Sequence, residues 1–320
     1  NYNQLTDHSN TDTIQSSYFN IPELDTILPN TGPSILEIVS PPLTHHPSGA
    51  GKTSLLYLII AHAILPQALS STPLNGQKAS IILFDPLHHF RVARLAEVLL
   101  HMMKSRISQA NKSLDSLKDD IRTAVKTALQ HVHIFHPQSW DALLATLHSL
   151  PSYLFDQDRH KSINRRIHSV ILEDMHAFTW HLRNNANPTI TLSTASAQLT
   201  SSLSELSSLL SCATILTGHS TTPSTYRPLL PTSWPPGTPV TRLAVRRVEV
   251  LKFASAISVE EAEAERVQRW EVVKKGRFEC WKVLAGARGE GEGFVFRVGG
   301  GGVEVEGEGE VTDDNVVYVL

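Results

Sequence analysis

An α/β fold, with a mainly parallel sheet covered by helices on both faces and antiparallel strands at its C-terminal end, is what this sequence predicts. Three observations predict it. From Ser34 to Gly218, apolar runs of strand length alternate with longer stretches of helical period, the pattern of a parallel sheet whose crossovers are helices. The stretch "HPSGAGKT" (46–53) lies between one such strand and an apolar helix, where a phosphate-binding loop belongs. From Thr241 onward apolar and polar residues alternate, as half-exposed antiparallel strands do.

Residues 1–20 are rich in Asn, Thr, Ser and Asp without a period and read as a flexible lead-in, so one ordered domain is expected over 21–320, beginning near Ile21-Pro22. "SILEIV" (34–39) is the first strand, and "TSLLYLIIAHAIL" (53–65) is a helix apolar nearly all round, hence buried. "ASIILFD" (79–85) is the second strand. Val92, Leu95, Val98, Leu99 and Met102 then recur at helical spacing, and Leu114, Leu117, Ile121, Val125 and Ala128 repeat the pattern. "HVHIF" (131–135) is a third strand, followed by a helix carrying Trp140, Leu143, Leu144, Leu147 and Leu150. "SVILED" (169–174) is a fourth, and Leu199, Leu203, Leu206 and Leu210 face one way on a serine-rich helix leading to the fifth, "CATILTG" (212–218). The proline-rich stretch 219–239 has no period and reads as a long loop beside the end of that strand. "TRLAVRRVEVLKF" (241–253), "RFECWKVL" (277–284) and "GFVFRV" (293–298) are expected as antiparallel additions to the sheet. Residues 258–275 permit two readings: Ser258 and Glu261 open a helix as a capping box, or "RWEVVKKGRFECW" folds as a hairpin about Gly276. The Gly/Glu-rich stretches 286–293 and 299–310 have little core-forming power and are expected as mobile loops or edge strands.

Composition narrows the function. With 320 residues and 41% hydrophobic content the chain can bury a large core, and a net charge of −3 argues against a protein that coats nucleic acid by bulk electrostatics. Cys212 and Cys280 form neither a metal-type spacing nor a disulfide framework, which suits a reducing compartment, the cytosol or nucleus. No apolar run reaches the roughly 18–20 residues that cross a bilayer, and Asn1 to Ser17 has no hydrophobic signal core, so neither a membrane span nor secretion is expected.

Within the loop, Ser48, Gly49, Ala50 and Gly51 supply the small residues that let backbone N–H groups wrap a β-phosphate, with the positive end of the next helix behind them. Lys52 would reach the β- and γ-phosphates of ATP, and the Thr53 hydroxyl would join the shell of a magnesium ion. His46 stands where such a loop normally opens with glycine, which leaves open both a nucleotide site and a loop kept only for packing. A partner carboxylate for magnesium belongs at the end of a buried strand, and "VILED" offers Glu173 and Asp174 there. Hydrolysis also needs a group that positions and deprotonates water. After "IILFD" comes "PLHHF", with no carboxylate beyond Asp85.

At these residues the chain resembles the RecA-type recombinases, and among them the eukaryotic recombinase paralogues. The resemblance runs from about Glu23 to Val298 and rests on the joint order of "ELDTIL", "HPSGAGKTSLLY", "AILP", "FDPLHHFRVARL", "LLATLHSLPSYL", "VILEDMHAFTW", "ATILTGHS" and "LPTSWPPGTPVTRL". It implies a RecA-like P-loop ATPase core and a nuclear role in homologous recombination and DNA double-strand break repair. The chain would be an accessory subunit that assembles with other RecA-like recombinase paralogues and assists the recombinase filament. It also implies that Lys52 and Thr53 are the phosphate-loop pair and that Glu173 takes the place of the magnesium-orienting Asp. Leu87 falls where active recombinases carry the water-activating glutamate, and His219 where they carry the Gln that senses the γ-phosphate. ATP and magnesium are therefore the expected ligands, with weak or absent hydrolysis and no catalytic residue assigned. With no helical domain ahead of Glu23 of the kind the full recombinase carries, independent filament formation is not expected. The alternative is a DNA-stimulated ATPase or another P-loop phosphotransferase, and a third reading is a scaffold that never binds ATP.

The remaining features point less far. His131, His133 and His136 tempt a metal reading, but no nearby Cys or carboxylate completes a set, and they are expected as surface or strand-edge side chains. His45-His46 and His88-His89 are expected to flank the phosphate cleft. In the 219–239 loop only Arg227 is basic, beside Tyr226 and Trp234, so contact with single-stranded DNA is expected to be weak or indirect. Arg165-Arg166 and Arg246-Arg247 read as solvated basic pairs. The acidic run from Glu304 to Asp314 would repel a phosphate backbone. Apolar surface, including the segment before Leu24, is expected to dock on a neighbouring subunit.

Overall fold

Strict alternation along the central strands dictates the layering. A computed structural model describes residues 17–28, 32–42, 44, 50–184, 191–222, 225–248, 258–284 and 292–306. Its strands are β1 (Ile35–Ser40), a short β2–β3 hairpin (Ala68–Leu69, Thr72–Pro73), β4 (Ser80–Phe84), β5 (Val132–Phe135), β6 (Ile167–Leu172), β7 (Ala213–His219), β8 (Val240–Arg247), β9 (Arg277–Lys282), β10 (Gly293–Val298) and β11 (Val303–Val305). Its helices are α1 (Pro22–Ile27), α2 (Lys52–Ile64), α3 (Val92–Gln109), α4 (Lys118–Leu129), α5 (Trp140–Leu154), α6 (Thr179–Arg183), α7 (Leu192–Leu210) and α8 (Val259–Lys274). Among the described residues the large sheet has nine strands in the order β11-β10-β9-β8-β1-β7-β6-β4-β5. Ile81, Leu83, Ile171 and Ile215 pack with α2, α3 and α4, while Ile82, Phe84, Val170, Leu172 and Leu216 pack with α5 and α7. A period of two thus gives each face of the sheet its own core. The expected α/β architecture, with helices on both faces and antiparallel strands at the C-terminal end, is what forms.

Several expectations change. β8 was expected to run antiparallel, but it pairs in parallel with β1, Ile35 opposite Val240 and Leu36 opposite Thr241. The long 220–239 connection carries the chain back across the sheet before β8 starts, which a parallel neighbour requires. The antiparallel part begins with β9, which pairs with β8 and β10. Residues 258–275 form α8, because the capping box closes: Ser258 Oγ accepts from the Glu261 N–H at 3.2 Å, and Glu261 Oε2 accepts from the Ser258 N–H at 2.9 Å. The hairpin about Gly276 does not form. Gly276 adopts φ +58° and releases the chain into β9. Leu114 and Leu117 fall in a loop and a short 3₁₀ turn ahead of α4, and β11 forms an edge strand inside the Gly/Glu-rich stretch.

Residues 17–23, the described part of the segment before Leu24, are not a free docking surface. Tyr18 donates its hydroxyl to the His168 carbonyl at 2.6 Å, and Phe19, Ile21 and Leu24 are buried in the same core that α2 packs into. Residues 17–20, expected within the flexible lead-in, are therefore packed; 1–16 lie outside the described residues. His131 and His133, expected at the surface, are buried, because both rings reach the Ser162 hydroxyl at 2.9 Å.

Candidate nucleotide site at the carboxyl edge of the sheet

Parallel strands end on the same edge, so neighbouring strands bring distant residues together there. β1, β7, β6 and β4 are neighbours, with Ser40 opposite His219 and Leu172 opposite both Leu216 and Phe84. Ser40, Asp85, Glu173-Asp174 and His219 therefore converge at the start of α2.

Gly51 precedes α2 in the left-handed region at φ +89°, and no side chain caps the helix start. A Cβ at Gly51 would lie 2.6 Å from Phe278 and 3.1 Å from Phe296, so glycine is required both for its backbone angle and for close packing. Ala50 beside it is buried. Ser48 and Gly49, with His45 and His46, lie outside the described residues.

Lys52 is only 7% exposed and donates to Ser40 Oγ at 2.9 Å. Burial holds its pKa below the usual lysine value, against the pull of Asp174 and Glu173. The Thr53 hydroxyl donates to Glu173 Oε1 at 2.5 Å. Glu173 is 1% exposed, its other oxygen has no hydrogen-bond partner among the described residues, and burial pushes its carboxyl up to about 7. Asp174 turns away from this pair. It sits at φ +53°, its N–H donates to Thr217 Oγ1 at 2.9 Å, and its Oδ2 lies 2.6 Å from His89 Nδ1. Of the two candidate carboxylates, the structure thus brings Glu173, not Asp174, to Thr53.

His219 stands beside Lys52 through a shared partner, its Nδ1 lying 2.9 Å from Ser40 Oγ. Asp85 is buried, but both of its carboxylate oxygens accept backbone N–H bonds, from His89 and Phe90 at 3.0 Å. Leu87 lies in the turn after β4 and is 40% exposed, an aliphatic group at the cleft's rim. His88 stacks on His136 at 4.1 Å instead of entering the cleft.

The long loop contributes little to a nucleic-acid surface. Trp234 donates to Glu37 Oε1 at 2.9 Å, Arg242 donates to the other oxygen, Oε2, at 2.6 Å, and Tyr226 is buried edge-on against Trp281. Of the basic pairs, Arg165 reaches the Ile64 and Ala79 carbonyls, Arg246 pairs with Glu279 at 2.8 Å, and Arg247 donates to the Val273 carbonyl. These cations are tied into the fold. Sequence reasoning missed Ser40 and His176, while His89, expected to flank the cleft, does meet Asp174 there. Ser40, the polar residue that ends β1, was the readable signal.

No family model matches the chain. Among curated proteins it is similar to the DNA repair protein XRCC2 of Mus musculus, 28% identical over 161 residues, an alignment that covers 50% of this chain and 49% of that protein. The chain thus spans about half the length of the curated relative it matches. The motif order in the sequence suggests a resemblance to the same protein.

Proposed function

We propose that this chain is a nuclear accessory subunit of homologous recombination and DNA double-strand break repair. It binds ATP with magnesium, turns it over weakly or not at all, and acts by assembling with other RecA-like recombinase paralogues and with the recombinase filament. The observation that carries this reading is the set of buried Lys52, half-buried Thr53 and buried Glu173 at the start of α2, with Leu87, a residue without a carboxylate, in the turn after β4. Similarity to a protein named for DNA repair supports the cellular role.

The residues present fit the ligand. The uncapped start of α2 and the Lys52 ammonium would hold phosphates. Thr53 and Glu173 would hold magnesium, for which the orphaned Glu173 oxygen is a ready acceptor. Magnesium would supply charge neutralisation between phosphates and carboxylate. Assembly is favoured by α8, none of whose described residues is buried and which leaves Trp270 64% exposed. Single-stranded DNA would be met weakly or through partners, since Tyr226 and Trp234 are spent on protein contacts.

Calorimetry with magnesium and ATP tests the site. Lys52→Ala is expected to weaken binding by roughly 30-fold or more, equivalent to about 2 kcal/mol; unchanged affinity removes Lys52 from the site. One observation favours a second reading. Glu173, with a free oxygen and a carboxyl raised to about 7, is placed to take a proton from water, as a DNA-stimulated ATPase would need. Brisk phosphate release on adding single-stranded DNA, lost in Lys52→Ala, would decide for that reading.

A further inference from the structure

Asp174, His176 and His219 each offer one ligand atom, and these atoms lie within 4.8 Å of one another. We propose that they form a binding site for a divalent transition ion of the zinc class, separate from the Thr53–Glu173 pair. The three residues come from the ends of two adjacent strands: Asp174 and His176 follow β6, and His219 ends β7.

The surrounding bonds prepare each ligand. His89 Nδ1 holds Asp174 Oδ2 at 2.6 Å, which leaves Oδ1 to face His176 Nδ1 at 4.0 Å. His219 Nδ1 lies 3.2 Å from the Pro41 carbonyl. Ser40 Oγ lies against the same nitrogen at 2.9 Å; in the tautomer that donates from Nδ1 the lone pair is left on Nε2, as at metal-bound imidazoles with an outer partner. His176 Nδ1 is buried and has no hydrogen-bond partner among the described residues. The Asp174 backbone is held at φ +53°, a conformation uncommon for a non-glycine residue. A tetrahedral ion with bonds of about 2.0–2.2 Å sets its ligand atoms roughly 3.4 Å apart. Side-chain rotations of a few tenths of an ångström to about 1 Å would reach that spacing.

Charge points the same way. Asp85, Glu173 and Asp174 are buried carboxylates, and Lys52 is the buried ammonium among them. A dication would balance the formal excess of negative charge. Two imidazoles select zinc, cobalt or nickel over magnesium and calcium, which take oxygen ligands.

The test uses the untagged full chain, stripped of metal and free of nucleotide, titrated with cobalt(II). A visible ligand-field spectrum saturating at one ion per chain is expected, and it should survive a hundredfold excess of magnesium. His176→Ala and His219→Ala should each weaken cobalt binding at least tenfold while retaining the wild-type melting profile in chelator. Should either variant fail to fold, X-ray absorption of the wild-type zinc complex gives the answer, with two imidazoles expected around the ion. Absence of the spectrum, equal binding by His176→Ala, or a zinc shell without two imidazoles overturns the proposal. Equal binding would assign the ions to other histidines of this histidine-rich chain.

Discussion

Replacing Glu173 by Gln should make the protein more stable at pH 8. The carboxyl ordinarily titrates near 4.5 and is raised by burial to about 7 in the fold. The native state therefore keeps a proton that the unfolded chain has released, and stability falls as pH rises from about 4.5 to 7, then levels. At 1.36 kcal/mol per decade, the 2.5-decade difference costs about 3 kcal/mol at pH 8. Gln cannot ionise, and its carbonyl can still accept the Thr53 hydroxyl. Urea unfolding of both proteins in chelator, followed by tryptophan fluorescence, should show profiles within about 1 kcal/mol at pH 5 that separate to about 3 kcal/mol at pH 8, the variant above. Taking the difference between the two proteins removes every other titrating group. Magnesium with ATP should narrow the gap, because a ligand that binds the native carboxylate returns stability by mass action. Parallel profiles, or a variant less stable at pH 8, would refute the assignment of Glu173 as a buried, unsatisfied carboxylate.

Two further outcomes concern the body of the fold and its surface. Burial lowers His62 and His168 to about 3 and His131 and His133 to about 4. The unfolded chain binds protons that the native rings refuse, so stability is complete above 6.5 and drains as pH falls toward 4, by roughly 1.3 kcal/mol per pH unit per histidine near pH 5. Circular dichroism at graded pH should show unfolding before pH 4, and a fold intact at pH 3.5 would contradict the burial of these rings. On α8, Trp270→Ala should leave urea stability within about 0.5 kcal/mol while reducing co-purification of a recombinase paralogue; a fall in stability with pull-down unchanged would make Trp270 a packing residue.

What could be read from the sequence depended on whether the signal was local. In the apolar run "IILF" the period of two of any strand is enough to place Ile81 and Leu83 on one face of β4 and Ile82 and Phe84 on the other. The GKT motif and the strand-end position of Glu173 are equally local. The parallel sense of β8 is not, since residues alternate in the same way on half-exposed strands of either sense, and the deciding contact is with β1, some two hundred positions earlier. Burial of His131 and His133 depends on Ser162, brought in from beyond α5. Ser40 and His176 belong to the site only because four strand ends meet, and no spacing announces that. Where two readings were open at 258–275, the capping box decided, because each of its hydrogen bonds satisfies an end group that a hairpin would have left to other partners.

The proposed reading makes one carboxylate answer for two tasks, and that conflict can be tested by relieving it. Asp85 has both oxygens committed to backbone N–H groups, and Asp174 is engaged by His89 and turned toward His176, so among the described residues Glu173 is the acid beside Thr53 with an oxygen to spare. Holding a magnesium shell would occupy that oxygen and leave none to deprotonate water. Leu87→Glu adds a carboxylate at the rim without disturbing the core, since the side chain is 40% exposed, and should change stability by no more than about 0.5 kcal/mol. General-base assistance is worth roughly 100-fold or more when well placed. In this unrefined position a rise of about tenfold in phosphate release, with ATP affinity unchanged, is the expected outcome. If release stays flat while ATP still binds, the limit on turnover lies elsewhere, in the orientation of the phosphates or in a missing partner subunit. If ATP does not bind either protein, the third reading, a scaffold with an empty phosphate loop, takes precedence.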